Sequence, residues 1–123
     1  MSKEFYINGW TKDSVMTQIR KRNKGYRASS YSSCFYRADD GNQCLVGCFI
    51  PDDMYKEDME DRDAKDVVDK WNLEAFMPVD SKSLNRLQRF HDSSDDDEYE
   101  TAEDFYSAVD KKLDELEREF ISE

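Results

Sequence analysis

CFYRADDGNQCLVGCFIPDD, residues 34 to 53, decides how the chain is built. It holds all three cysteines, an acidic-glycine turn, and a proline ahead of two aspartates. SCFYR and QCLVG flank ADDGN, and Asp39-Asp40-Gly41 has the composition of a three-residue hairpin loop: a type I turn closed by a left-handed glycine. That loop pairs Ala38 with Asn42, Tyr36 with Cys44 and Cys34 with Val46. Side chains alternate along a strand, so Cys34, Tyr36, Cys44, Val46 and Cys48 then share one face. A two-residue turn at Asp40-Gly41 shifts the pairing and sends Cys34 to the opposite face. Pro51 ends the strand, and Asp52 is placed to cap a short helix through Met54, Tyr55 and Met59.

Helical patterns surround this segment. Upstream, Thr11 is a good N-cap, Asp13 falls in the first turn, and Val15, Met16 and Ile19 form an apolar stripe. RKRNKG then puts cations in the last turn and Gly25 just beyond. Downstream, AKDVVDKWN predicts a helix that turns Val67, Val68 and Trp71 inward. LEAFMP reads as buried and irregular. Asp80 or Ser81 caps a helix over SKSLNRLQRFHD, with Leu84, Leu87, Phe90 and His91 at helical spacing. The last helix, about 101 to 121, carries Phe105, Val109, Leu113, Leu116 and Phe120 on one stripe. Between these two helices, 92–102 reads as a flexible acidic loop without a basic residue. The predicted fold is α+β: a single domain in which a small β-hairpin packs against four or five α-helices.

The 123 residues fit one domain, and an aromatic content of 13% argues for a folded core. The net charge of -11 is unevenly placed. Residues 1 to 50 carry 8 basic and 4 acidic side chains, whereas residues 51 to 123 carry 10 basic and 25 acidic. So negative a second half argues against its direct binding to a nucleic-acid backbone and favours a basic partner. MSKEFYINGW lacks the apolar core of a secretory signal, and no apolar run reaches membrane-spanning length. Three cysteines without such a signal fit a reducing compartment.

Four chemistries can be weighed against these residues. Cys34, Cys44, Cys48 and His91 form one set of soft ligands for tetrahedral zinc. On a straight strand, however, positions 44 and 48 lie roughly 13 Å apart, and buried free cysteines commonly pack as small hydrophobes. A Cys–His nucleophile has no local signature here, and the single histidine sits at a helix end, where a cation is also at home. DSSDDDEYE lacks the spaced ligands and central glycine of a calcium loop. Exposed carboxylates can also imitate phosphates. Residues 52 to 69 contribute nine acids and 92 to 104 contribute eight. Asp58, Glu60, Asp61, Asp63, Asp95, Asp96, Asp97 and Glu98 are the candidate contacts for a basic protein.

CFYRADDGNQCLVGCFIPDDMY resembles a recurring motif of small bacteriophage and prophage proteins: a cysteine, a Tyr-Arg pair, an acidic-glycine turn, then Cys-x-x-Gly-Cys-hydrophobic-Ile-Pro-Asp. FMPVDSKSLNRLQRFHD resembles the same family's second block, in which Leu-Gln precedes His-Asp. The two blocks span about 40 residues. The motif positions are Cys34, Tyr36, Arg37, Gly41, Cys44, Gly47, Cys48, Ile50, Pro51, Asp52, Gln88, His91 and Asp92. The acidic C-terminal helix departs from the family pattern. The resemblance implies a phage protein acting in the cytoplasm of a host bacterium. Together with the charge, it leads to the expectation of a non-enzymatic acidic viral protein, monomeric or dimeric and without a cofactor. Such a protein binds and modulates a basic host protein, with nucleic-acid mimicry as one route. The alternative is a small zinc protein using Cys34, Cys44, Cys48 and His91.

Overall fold

The computed structural model describes residues 4–25, 29–30, 33–34, 36–37, 42–60, 62–92 and 100–122. Among the described residues four α-helices form the frame: α1 (Lys12–Arg22), α2 (Ala64–Trp71), α3 (Ser81–Asp92) and α4 (Ala102–Ser122). Each starts where a short polar side chain satisfies a backbone N–H that has no carbonyl within the helix. Thr11 Oγ1 accepts from the Ser14 N–H at 3.2 Å, and Ser14 Oγ accepts from the Thr11 N–H at 2.8 Å, a reciprocal capping box. Asp63 caps α2 through the Asp66 N–H at 2.8 Å, Asp80 caps α3 through the Ser83 N–H at 2.9 Å, and Thr101 caps α4 through the Asp104 N–H at 3.1 Å. Asn72, left-handed at φ 56°, ends α2.

The helices pack by their apolar stripes. α2 lies on α3, and α4 touches both α1 and α3. Val15 and Ile19 of α1, Val67 and Val68 of α2, Leu84 and Leu87 of α3, and Phe105, Val109, Leu113 and Leu116 of α4 meet in one buried core. Each such side chain contributes about 1.5–3 kcal/mol when fully buried.

The expected α+β architecture is not what the chain adopts; the fold is helical. Extended pairing among the described residues is limited to a two-residue antiparallel ladder, β1 (Ser29–Ser30) with β2 (Ser33–Cys34), and an isolated bridge between Arg37 and Gln43. That bridge places Tyr36 opposite Cys44, and the Cys44 N–H donates to the Tyr36 carbonyl at 3.2 Å. Among the described residues the pairing goes no further, and the reason lies in the run CLVGCFI. A half-exposed strand needs alternation, but every residue from 44 to 50 is buried. Enclosed on all sides, the segment satisfies its backbone locally. Cys48 N–H donates to the Cys44 carbonyl at 3.0 Å, Phe49 to Val46 at 3.0 Å and Ile50 to Gly47 at 3.1 Å, forming a 3₁₀ turn at Gly47–Phe49. The expected loop at 38–41 lies outside the described residues, as does most of the acidic segment expected at 92–102.

No helix among the described residues is long and apolar enough to cross a membrane.

Candidate functional site

The cysteine turn is the best-defined constellation. Cys44 and Cys48 are free thiols, 0% and 1% exposed. Cys44 Sγ accepts from the Gly47 N–H at 3.1 Å and donates to Gln88 Oε1 of α3 at 3.2 Å. Cys48 Sγ lies 3.9 Å from the Gln43 carbonyl. Burial pushes the Cys48 thiol well above its ordinary range, and Cys44 beside it adds to the shift. A protonated, enclosed thiol is a poor nucleophile. Gly47 fits because the Tyr36 carbonyl oxygen stands where a Cβ would go, 2.2 Å away. Among the described residues no group of three or more His, Cys, Asp or Glu side chains is placed to hold a metal ion. The side chains of Cys34 and His91 lie outside the description. Their backbones sit in β2 and near the end of α3.

Around this turn runs a polar network that the sequence pattern did not reveal. Asp52 does not cap a helix: Met54 and Tyr55 N–H return to the Pro51 carbonyl at 3.0 and 3.1 Å, a single turn. The Asp52 carboxylate instead accepts from Arg22 Nη1 and Arg37 Nη2, each at 2.8 Å. The Arg22 hydrogen bond, followed by the charges of both guanidiniums, holds its carboxyl below the usual carboxylate range. Arg37 also donates to the Ile50 carbonyl at 2.9 Å and stacks on the Tyr55 ring, 4.6 Å from its centroid.

Glu60, expected as a surface contact, is occupied inside the fold. Its carboxylate accepts from the backbone N–H of Tyr36 at 2.8 Å and of Arg37 at 3.2 Å, and from the Tyr55 hydroxyl. Asp63 is exposed, but one oxygen caps α2. Asp58 is exposed, and neither its carboxylate nor that of Glu57 pairs with a cation among the described residues. Glu57, Asp58, Glu60, Asp63 and Asp66 line an open concavity of about 700 Å³, with Arg62 as the one basic side chain of its lining among the described residues. Arg62 is committed to Asp66 at 2.9 Å and lies over the Trp71 ring. Asp61, Asp95, Asp96, Asp97 and Glu98 lie outside the described residues.

No family model matches the chain, and no curated protein or solved structure matches it.

Proposed function

We propose that the protein is a non-enzymatic binding module whose acidic surface engages a basic protein, in the host-cytoplasmic setting that its resemblance to bacteriophage proteins implies. The observation that carries this reading is the concavity at Glu57–Asp66. The carboxylates of Glu57 and Asp58, which pair with no cation among the described residues, stand there beside Asp63 on the acidic half of a chain whose net charge is -11. Carboxylates held in an open hollow are spaced for cationic side chains, and imitation of a nucleic-acid backbone is one form this binding can take. The test is a pull-down from bacterial lysate with the full chain and with an E57K/D58K variant. Those positions are chosen because neither side chain holds the fold together. A basic protein retained at low salt, released as salt rises and lost with the variant is the expected result. Retention of nothing at low salt, or retention that ignores both salt and charge reversal, overturns the reading.

One observation keeps zinc as a second reading. The 44–48 segment is a turn and not a strand, with the Cys48 N–H bonded to the Cys44 carbonyl, so the strand spacing that separated these two thiols does not apply. Gln88 of α3 touches Cys44, and His91 follows three residues later on that helix. Native mass spectrometry of protein purified without added metal or chelator tests it. A mass increment of one zinc ion, lost on acidification, supports this reading, and a metal-free mass removes it.

A further inference from the structure

Trp10 is a shared wall between two surface hollows. On one side Glu4, Tyr6, Asn8 and Glu117 join it around about 520 Å³. On the other Arg22, Phe49, Pro51 and Phe76 join it around about 330 Å³. The wall is firmly set. The Trp10 ring meets Phe49 edge to face at 5.1 Å, and the Trp10 backbone N–H donates to the Ile7 carbonyl at 3.1 Å. Asn8 Nδ2 donates to the carbonyls of Glu74 at 2.7 Å and Met77 at 2.9 Å, which ties the Trp10 turn to the segment bearing Phe76. Phe76 is 40% exposed, one of two large apolar side chains that stand open to solvent among the described residues.

The two hollows differ in chemistry. The first offers two carboxylates and three aromatic rings, those of Phe5, Tyr6 and Trp10, and no cation lines it among the described residues. The nearby Lys12 is committed to Asp110 at 2.7 Å and Asp114 at 2.8 Å. The Tyr6 hydroxyl is buried without a hydrogen-bond partner among the described residues. Burial first, then the charge of Glu117, pushes its pKa up to about 12, so it remains a neutral phenol. Aromatic faces beside carboxylates are the surroundings that guanidinium and ammonium groups favour. The second hollow sets Phe49, Ile50, Pro51 and Phe76 beside two polar side chains that are already engaged, Gln18 with the Cys48 carbonyl at 2.8 Å and Arg22 with Asp52.

We propose that the Trp10 face docks an extended segment of a partner protein, which places an arginine or lysine side chain in the Tyr6–Glu117 hollow and an apolar side chain against Phe76. Charge selects this occupant. A second copy of the chain, at net charge -11, and a nucleic-acid strand would both bring repulsion to a rim of Glu4 and Glu117. A basic segment with one apolar anchor meets both hollows at once. The surface is distinct from the Glu57–Asp66 concavity, so this inference goes beyond the preceding reading and each can fail alone.

The test is a nitrogen–proton correlation titration of the full chain with blocked peptides carrying one Arg and one Leu separated by one, two or three alanines. Matching peptides carry Glu in place of Arg. The expected result is millimolar binding by at least one Arg peptide, with shifts at Tyr6, Gly9, the Trp10 indole N–H and Phe76, and none with the Glu peptides. Phe76→Ser, at an exposed position, and Glu117→Lys should each weaken binding by roughly threefold to tenfold. Thermal melts establish that both variants fold, and E57K/D58K, titrated in parallel, should bind as wild type. Shifts confined to Glu57–Asp66 overturn the inference while leaving the acidic-concavity reading in place. Absence of shifts, equal shifts with the Glu peptides, or affinity unchanged in both variants also overturns it.

Discussion

A methyl group on residue 47 would collide with backbone, not with a side chain that could swing away. The Tyr36 carbonyl oxygen lies 2.2 Å from the Cβ position, and the Tyr36 Cα lies 3.1 Å from it. The same carbonyl accepts the Cys44 N–H, so it cannot retreat without breaking the bridge that anchors the cysteine turn. Gly47→Ala should therefore lower stability by about 2–3 kcal/mol, in the upper range for overpacking, read as a fall in the urea midpoint at unchanged slope. A midpoint within error of wild type would mean that Tyr36 does not pack on this turn. Asp52 yields a prediction in pH. Its folded carboxyl titrates below the unfolded value of about 3.9. Its contribution is thus fully present above that value and is lost as pH falls through the lower folded one. The melting temperatures of wild type and Asp52→Asn should differ most near about pH 7 and converge as the pH falls through the lowered folded value. A gap that stays constant across that window would show that the Arg22 and Arg37 pairings contribute nothing.

At the scale of elements, the helices were legible and the hairpin was not, for a physical reason. A cap and an apolar stripe are local: Thr11 with Ser14, Asp80 with Ser83, and the spacing from Phe105 to Leu116 act within a few residues of chain. The 44–50 run takes its conformation from what surrounds it. α1 and α3 close over it, Gln18 donating to the Cys48 carbonyl at 2.8 Å and Gln88 accepting from Cys44. CLVGCFI lacks the polar alternation of a half-exposed strand, but an unbroken apolar run does not by itself say whether the covered segment is a strand or a turn. The internal bonds of Glu60 were not legible for the same reason, because the backbone amides it serves lie more than twenty residues upstream. The Trp10 face was missed because Phe76 comes to it from a distant part of the sequence. The junction of α1 with α4 is equally non-local and can be measured. The Tyr106 hydroxyl donates to the Asn23 carbonyl at 2.5 Å in a buried setting, at the point where α1 ends. Tyr106→Phe leaves that acceptor without its donor and should cost about 1–2 kcal/mol. It should also speed amide exchange in the last turn of α1 ahead of the rest of the molecule. Loss of stability with uniform exchange would indicate that the bond supports the whole core and not this junction.

Over the whole molecule, charge opposes folding while burial drives it. The second half carries 25 acidic side chains against 10 basic, and the ion pairs that offset them lie near the surface: Lys12 with Asp110 and Asp114, Lys65 with Asp69, Arg86 with Glu119. Pairs of that kind contribute about 0–1 kcal/mol each, whereas like-charge repulsion sums over every acid in range. Salt acts on the two terms in opposite directions. Raising it from about 10 mM to about 150 mM shortens the screening length from about 30 Å to about 8 Å. Repulsion between distant carboxylates is thereby cut far more than attraction between groups in contact. The melting temperature should therefore rise over that range, and more steeply for Lys12→Met, which removes the cation between two carboxylates. A melting temperature that falls with salt would show that the contact pairs outweigh the long-range field. Contacts between paired groups would then set the stability, while the net charge of -11 would still give the Glu57–Asp66 concavity a negative potential toward a basic partner.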